Sequence, residues 1–155
     1  MTNLLTELAN VEATVKVQNE SVELMEALAA YIEEEFSQHD DFIILDDSTK
    51  EEYLIESQEH MLWAFNTGYI MNYLKEDIKA DLNSYYAEQM ENSLAKMQER
   101  MCEGANGLIK GITNWEDMIL DGASEDGFGH YLNGYDGNEY EFEYGGETYY
   151  IYFNN

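Results

Sequence analysis

From Gly127 to Phe153 the chain reads GFGHYLNGYDGNEYEFEYGGETYYIYF, and this stretch decides the predicted fold. Two pairs in it, Asp136-Gly137 and Gly145-Gly146, tolerate positive φ at both central positions, as a type I′ hairpin turn requires. The runs around these pairs are rich in Tyr, Phe and Ile and alternate with a period of two residues. We therefore predict a three-stranded antiparallel β-meander over residues 127–153.

The two turns also set the register of the predicted strands, because a two-residue turn determines which residues lie opposite each other. Tyr131 then lies opposite Phe142, and Phe142 lies opposite Tyr149. One face carries side chains that can cover a core: Tyr131, Tyr135, Tyr140, Phe142, Tyr144, Tyr149, Ile151 and Phe153. The other face carries polar and acidic side chains among a few apolar ones: His130, Leu132, Glu139, Glu141, Glu143, Thr148, Tyr150 and Tyr152. We expect this second face to be a row of glutamates beside tyrosine hydroxyls, because residues 111–155 contain no Lys or Arg.

A sheet of three short strands is not stable alone, so helices must pack against it. Before residue 122, apolar residues recur at helical spacing. The run at residues 39–47, HDDFIILDD, is either a brief strand or a buried loop, and periodicity does not decide between them. We predict an α+β fold in one domain, 1–155, mainly helical over 1–122. Its four to five helices cover about residues 3–17, 21–36, 48–78 with a bend near Gly68, 82–102 and 113–119.

The net charge of the chain is its outstanding property. The 155 residues carry 33 acids against seven bases, a formal charge of −26, while 45% hydrophobic residues indicate a folded protein. Solubility needs far less charge, and self-repulsion at this level weakens a compact fold. A compact chain of this length is about 40 Å across. Its 26 net charges then give one per ~1.5 Å, against one per ~1.7 Å of duplex DNA. We expect a basic protein partner and no direct binding to nucleic acid or to a membrane; a solvated face or adaptation to high salt is the alternative.

Two dense acidic patches are candidate partner-binding surfaces. Between residues 33 and 52 there are nine acids and one lysine. The predicted contact residues in this patch are Glu33, Glu34, Glu35, Asp40, Asp41, Asp46 and Asp47. The glutamate face of the meander adds Glu139, Glu141, Glu143, Tyr150 and Tyr152.

No constellation in the sequence indicates catalysis, a cofactor or a metal. The three histidines lie in unrelated segments, and no phosphate-binding glycine loop or nucleophile motif is present. Asp136, Asn138 and Glu147 match three places of a calcium-binding loop, but Glu141 occupies the place that needs glycine. The single Cys102 excludes an internal disulfide and fits a reducing compartment. Since neither a signal peptide nor a long apolar run is found, we expect a cytoplasmic protein.

Residues 82–101 carry an apolar stripe rich in methionine. Two interpretations stay open: a core-facing helix, which is the more common case, or a seam for a partner or a second copy of the chain. The stripe consists of Leu82, Tyr86, Met90, Leu94, Met97 and Met101.

The strongly acidic, aromatic-rich composition without a single proline resembles phage and mobile-element proteins that imitate DNA, in the anti-restriction and anti-CRISPR groups. The segment Asp126–Phe153 also resembles a C-terminal module of small phage and plasmid proteins that has no assigned function. The first resemblance implies a non-enzymatic inhibitor in the host cytoplasm that occupies the DNA-binding channel of a defence nuclease or surveillance complex. The alternatives are an acidic regulatory protein that binds a basic partner without blocking DNA and, third, a small hydrolase using carboxylates.

Overall fold

The structure, a computed structural model, describes residues 4–154 and confirms the α+β class. Its helices are α1 (Leu4–Ala9), α2 (Val22–Glu35), α3 (Lys50–Gln58), α4 (Thr67–Met71), α5 (Glu76–Asp81), α6 (Ser84–Met101), α7 (Asn106–Ile112), α8 (Trp115–Asp126) and α9 (Phe128–Leu132), with 3₁₀ helices at Glu59–Ala64 and Cys102–Ala105. Its strands are β1 (Glu12–Lys16), β2 (Asp41–Asp46), β3 (Tyr140–Tyr144) and β4 (Glu147–Phe153). The helices are more numerous and shorter than the four to five expected.

The four strands form one mixed sheet in the order β1-β2-β4-β3. Strands β1 and β2 are parallel and are joined by α2, whereas β2 pairs antiparallel with β4, and β4 antiparallel with β3. The sheet therefore combines a βαβ unit from the N-terminal part of the chain with a hairpin from the C-terminal part.

The chain packs as two compact units. We call the described residues up to Leu54, together with those from Ala123 on, the sheet unit, and Ile55–Gly122 the helical unit. The single domain over 1–155 stays a prediction, because two compact parts can still unfold together. Residues 1–3 and 155, which that domain includes, lie outside the described residues.

The core of the sheet unit lies between α1, α2 and one face of the sheet. The helices contribute Leu5, Leu28 and Ile32, each at most 1% exposed. The helix α2 begins where Ser21 Oγ accepts a hydrogen bond from the Leu24 N–H, 3.1 Å away, as an N-cap does. The sheet contributes apolar side chains from all four strands: Ala13, Val15, Phe42, Ile44, Tyr140, Phe142, Tyr149, Ile151 and Phe153. The expected core face of the two C-terminal strands is therefore confirmed except at Tyr144, which lies outside this cluster and is 38% exposed.

The second predicted turn is also confirmed. Gly145 and Gly146 have φ of 60° and 81°, the type I′ conformation. Strand β3 pairs with β4 so that Phe142 lies opposite Tyr149, as the turn predicted.

The third strand of the predicted meander is wrong. Residues 128–132 form the short helix α9, in which the Asn133 N–H donates to the Gly129 carbonyl over 2.8 Å. The expected Asp136-Gly137 hairpin turn is absent as well, because Asp136 is not among the positive-φ residues of the described chain. Instead, Asn133 Oδ1 accepts from the N–H groups of Tyr135 and Asp136, both at 3.0 Å, and holds the loop in place.

Strand β2 pairs with the side of β4 that the predicted meander left open, and no described strand occupies the place beside β3 that the meander assigned to residues 127–135. Its side chains are buried on both faces of the sheet from Phe42 to Asp46, so it reads as a continuous apolar run without alternation. The undecided run at 39–47 thus contains one of the two inner strands of the sheet. Ile44 lies opposite Ile151 in this pairing.

The predicted helix over residues 3–17 is also wrong beyond Ala9. Asn10 has φ of 53°, a left-handed conformation that ends α1, and β1 follows. The β-branched residues Thr14 and Val15 lose side-chain freedom in a helix, and here they belong to the edge strand β1.

The long helix expected over 48–78 breaks into α3, a 3₁₀ helix, α4 and α5. The buried Gln98 stabilises one break: its Nε2 donates to the carbonyls of Trp63 and Phe65, and its Oε1 accepts from the Thr67 hydroxyl, all within 2.8 Å. Among the helices of residues 4–154, none has the length and apolar character that crossing a membrane requires.

Candidate acidic interface

The negative charge is concentrated in the sheet unit. Residues 1–54 and 123–155 hold 21 acids against two lysines, a net charge of −19, whereas residues 55–122 hold 12 acids against five bases, a net charge of −7. A basic partner would therefore meet its strongest field at the sheet unit.

One of these two lysines is used inside the unit. Lys50 Nζ lies 3.1 Å from Glu139 Oε2, and only 13% and 25% of the two side chains are exposed. The ammonium group also lies 3.6 Å from the ring centre of Tyr150 and 4.1 Å from that of Phe128. Such stacking on aromatic rings favours the cation in a partly dry site. The sequence predicted that no basic group offsets the glutamates of this face, but Lys50 offsets the charge of Glu139.

Tyr152 and Glu139 belong to this internal network more than to a contact surface. Tyr152 is fully buried, and its hydroxyl donates to Glu139 Oε2 over 2.5 Å. Burial and the hydrogen bond to Glu139 raise the pKa of Tyr152 above its ordinary value. Direct contact of Tyr152 with a partner, as expected from the strand pattern, is incompatible with its position.

Asp46 is likewise structural. It is buried, and its carboxylate accepts hydrogen bonds from the Gln18 N–H at 2.7 Å and the Ser48 hydroxyl at 2.7 Å. Burial alone would raise the pKa of Asp46, but these bonds and one from the Thr49 hydroxyl outweigh it and hold the pKa below 3.8. Asp46 therefore shapes the turn into α3 and is not presented to a partner.

The exposed carboxylates beside this network are Asp47, Glu141 and Glu143, which we call the strand patch together with Tyr150. Glu141 lies directly opposite Tyr150, and the Tyr150 hydroxyl donates to Asp47 Oδ1 over 2.6 Å. That hydrogen bond, partial burial and the charges of Asp47, Glu139 and Glu141 raise the pKa of Tyr150 above its ordinary value. Tyr150 thus joins carboxylates from two separate segments of the chain.

The first acidic patch of the sequence is divided by β2. Asp40 and Asp41 lie at the start of this strand and Asp47 follows its end; the strand between them, from Asp41 to Asp46, is about 17 Å long at 3.3 Å per residue. Asp40 and Asp41 line a cleft of about 490 Å³ with Glu12. The sequence pattern missed Glu12, which reaches this cleft because β1 runs parallel to β2 and sets it opposite Asp41.

Glu33, Glu34 and Glu35 are exposed at the C-terminal end of α2. The carbonyl end of a helix carries partial negative charge, and the last turn of α2 contains no basic residue to offset it. Three carboxylates there lower the stability of the helix, because basic residues, not acidic ones, are favoured in the last turn.

The methionine stripe of α6 is mostly outside the core. Of its 18 residues only Leu94 and Gln98 are buried, while Tyr86 and Met101 are 57% and 49% exposed. The core-facing helix, the more common of the two interpretations, therefore holds only for Leu94 in the middle of the stripe.

Within residues 4–154, no group of three or more His, Cys, Asp or Glu side chains has the arrangement of a metal site. What the acidic groups can do without a metal is attract and orient a cationic surface.

In comparisons with known proteins, no family, no curated protein and no solved structure matches the chain.

Proposed function

We propose that the protein is a non-enzymatic inhibitor that imitates DNA and occupies the DNA-binding channel of a bacterial defence complex, a CRISPR effector or a restriction enzyme. The observation that carries the proposal is the charge of −19 on the sheet unit, of whose two lysines one is held in an internal ion pair. Lys and Arg side chains that line such channels bind phosphates and release counterions, and carboxylates on a protein surface can replace the phosphates.

Preorganisation supports this function. Glu141 and Glu143 are two residues apart on β3, so their Cα atoms are about 6.7 Å apart. The Gly145-Gly146 turn and the pairing with β4 hold the strand in place before any partner arrives. Ordered charges bind at a lower entropic cost than charges on a flexible loop.

The ion pair of Lys50 with Glu139 supports it further. Since Lys50 is mostly buried and stacks on Tyr150, it fixes the ring that holds Asp47. The internal cation thus positions exposed anions and takes little from their outward field.

An acidic regulatory protein that binds a basic partner without blocking DNA is the second candidate. The open edge of β3 favours it, because main-chain groups at an edge can bind a protein strand and have no counterpart in DNA.

The test begins with capture of partners on the immobilised protein from lysates of bacterial hosts. Each captured complex is then purified and assayed for binding of a labelled DNA duplex at rising concentrations of the protein. We expect the duplex to be displaced. The affinity should also fall steeply between about 50 and 500 mM salt, because the screening length shortens from over ~10 Å to a few Å.

Two outcomes count against the inhibitor. A captured basic protein that still binds its duplex at saturation would establish the regulatory function in its place. An affinity that stays constant over the salt range would show an apolar contact, for which the exposed side of α6 is the best candidate.

A further inference from the structure

We propose that the open edge of β3 pairs with an extended basic segment of the partner, which adds a fifth, antiparallel strand to the sheet. This inference goes beyond the proposed function and rests on it in one respect, the basic character of the partner.

The first argument is the main chain of β3. The strand is the last one in the sheet order and pairs with β4 on one side only. A type I′ turn is closed by a hydrogen-bonded pair, here Tyr144 with Glu147, and such pairs alternate along an antiparallel ladder. Glu141 and Glu143 therefore belong to the non-bonded positions, where N–H and C=O point away from β4.

These outward groups have no partner among the hydrogen bonds of residues 4–154. Unpaired N–H and C=O groups in a row are a template for another strand. At Glu141 and Glu143 the edge offers two donors and two acceptors to an added segment.

The second argument is the charge of the same two residues. Both side chains are exposed, and both lie on the same face of the sheet. Side chains directly opposite each other on neighbouring antiparallel strands are about 4.5–5.5 Å apart at Cβ, so opposite charges there attract and like charges repel. A fifth strand that fits this edge carries Lys or Arg opposite Glu141 and Glu143, in the pattern basic-x-basic.

The intervening position of the added strand faces the other side of the sheet. There β3 presents Phe142, half-buried against the ring of Tyr31 at 4.7 Å, and Tyr144, which is 38% exposed. A β-branched or apolar residue at x suits this surface.

A second copy of this chain does not fit the edge. Two β3 strands side by side would set glutamates against glutamates, and each copy carries a net charge of −26. The charges that repel a second copy are the ones that select a basic strand. Glutamates on an edge strand also prevent aggregation. That role alone would not involve hydrogen bonds to the outward N–H groups.

The test uses the unaltered protein and a probe peptide, Lys-Thr-Lys-Val-Lys-Thr-Lys, with two N-methylated forms of equal charge. One form is methylated at the lysine amides, which would face Glu141 and Glu143, and the other at the intervening amides, which would face away. We expect methylation at the lysines to weaken binding about tenfold or more, because the hydrogen bonds to the carbonyls of Glu141 and Glu143 are both lost, and the other form to bind like the parent. Deuterium exchange of the Glu141 and Glu143 amides should slow when the parent peptide binds.

Two variants give a matched test on the protein. Glu143→Gln removes the charge and keeps the outward N–H, whereas Glu143→Pro removes both and leaves the pairing with β4 intact, as proline at a strand edge can. We expect Glu143→Pro to bind the peptide about tenfold more weakly than Glu143→Gln. The methylated peptides keep the test decisive if Glu143→Pro does not fold.

Equal binding of all three peptides would overturn strand addition and leave a purely electrostatic surface. The proposed function would survive that result if the protein still displaces duplex from a defence complex. Conversely, if the peptide pairs with β3 but the protein does not displace duplex, the proposed inhibitor function is overturned and strand addition at β3 is supported. The two proposals can therefore fail separately.

Discussion

Lys50 and Glu139 are 89 positions apart in the chain and form an ion pair of 3.1 Å beneath the second face of the sheet. The pair ties the start of α3 to the segment that leads into β3. The pair also gives Glu139 a role that Glu141 and Glu143 do not share. These two glutamates follow Glu139 at two-residue steps and are exposed. Three glutamates that look equivalent in sequence thus have two different roles.

We expect Glu139→Lys to destabilise the protein. The change would set two ammonium groups together beside Tyr152 and remove the acceptor of its hydroxyl. Loss of hydrogen bonds to a charged group costs roughly 2 kcal/mol, and for a chain of this size this lowers the Tm by about 4–8 °C. Thermal unfolding followed by circular dichroism measures the shift.

The matched control is the pair Glu141→Lys with Glu143→Lys. Because these side chains are exposed and surrounded by like charge, their reversal relieves repulsion and should leave the Tm unchanged or raise it. A Tm that falls as far in this double variant as in Glu139→Lys would contradict the division of roles.

The same double variant should lose function. Reversal of Glu141 and Glu143 is expected to weaken binding of the basic partner more than about tenfold, since two close charge contacts become repulsive. The control reverses two exposed glutamates of the helical unit, Glu88 and Glu99, and changes the net charge equally. Calorimetry on the captured partner decides: equal losses in both variants would mean that only the total charge matters.

Asp46→Asn should lower stability in a pH-dependent way. The pKa of Asp46 is lowered in the folded state, so its ionised form stabilises the protein above about pH 4, and this contribution is lost as the pH falls through the lowered pKa. We expect the free energy of unfolding of the variant at pH 7 to be lower than that of the wild type by roughly 2 kcal/mol, and its Tm to be lower accordingly. The difference should narrow below pH ~4. A gap that is constant from pH 7 to pH 3 would show that the charge of Asp46 is irrelevant.

Opposite effects are expected at the two ends of α2. Glu34→Gln removes a carboxylate from the C-terminal end and should raise stability by roughly 0.3–1 kcal/mol, whereas Glu23→Gln removes one from the first turn and should lower it. Both side chains are exposed, so burial does not differ. Denaturant unfolding of the two variants at low salt measures the signs, and equal signs would exclude the helix dipole as the cause.

Gly129→Ala tests the helix that replaces the expected third strand. An added Cβ would lie 2.4 Å from the Asn138 carbonyl carbon and 2.5 Å from the Gly137 oxygen, both main-chain atoms that cannot move aside alone. We expect a loss of about 1–3 kcal/mol. Gly111→Ala, within α7 and with open space around it, should instead stabilise by up to ~1 kcal/mol. A neutral Gly129→Ala would mean that the segment does not pack on the Gly137–Asn138 main chain.

The hairpin of β3 and β4 could be predicted because its information is local. The Gly-Gly turn dictates the register, and alternation along both strands then assigns each side chain to a face. The same reasoning failed at Asp136-Gly137, where the side chain of Asn133 supplies hydrogen bonds that favour a loop. A turn motif alone does not show which of two competing local conformations the neighbouring residues stabilise.

Strand β2 could not be assigned from its pattern. A strand buried on both faces is a continuous apolar run, and such a run looks the same in a buried loop or helix. Its partners, β1 and β4, are more than a hundred residues apart from each other in the chain. Strand pairing between segments so far apart in the chain does not show in the local sequence pattern.

By itself, the sequence determined the α+β class, the C-terminal hairpin with its core face, and the excess of negative charge. These properties depend on composition and on residues a few positions apart, which act through turn geometry and alternation. Only the tertiary structure decided which carboxylates are presented. It withdrew Glu139 and Asp46 into hydrogen-bonded positions, placed Asp40 and Asp47 at opposite ends of β2, and left Glu141 and Glu143 on an open edge. The burial of a carboxylate and its hydrogen-bond partners depend on which distant segments pack together. The order of charges along the chain does not show this packing.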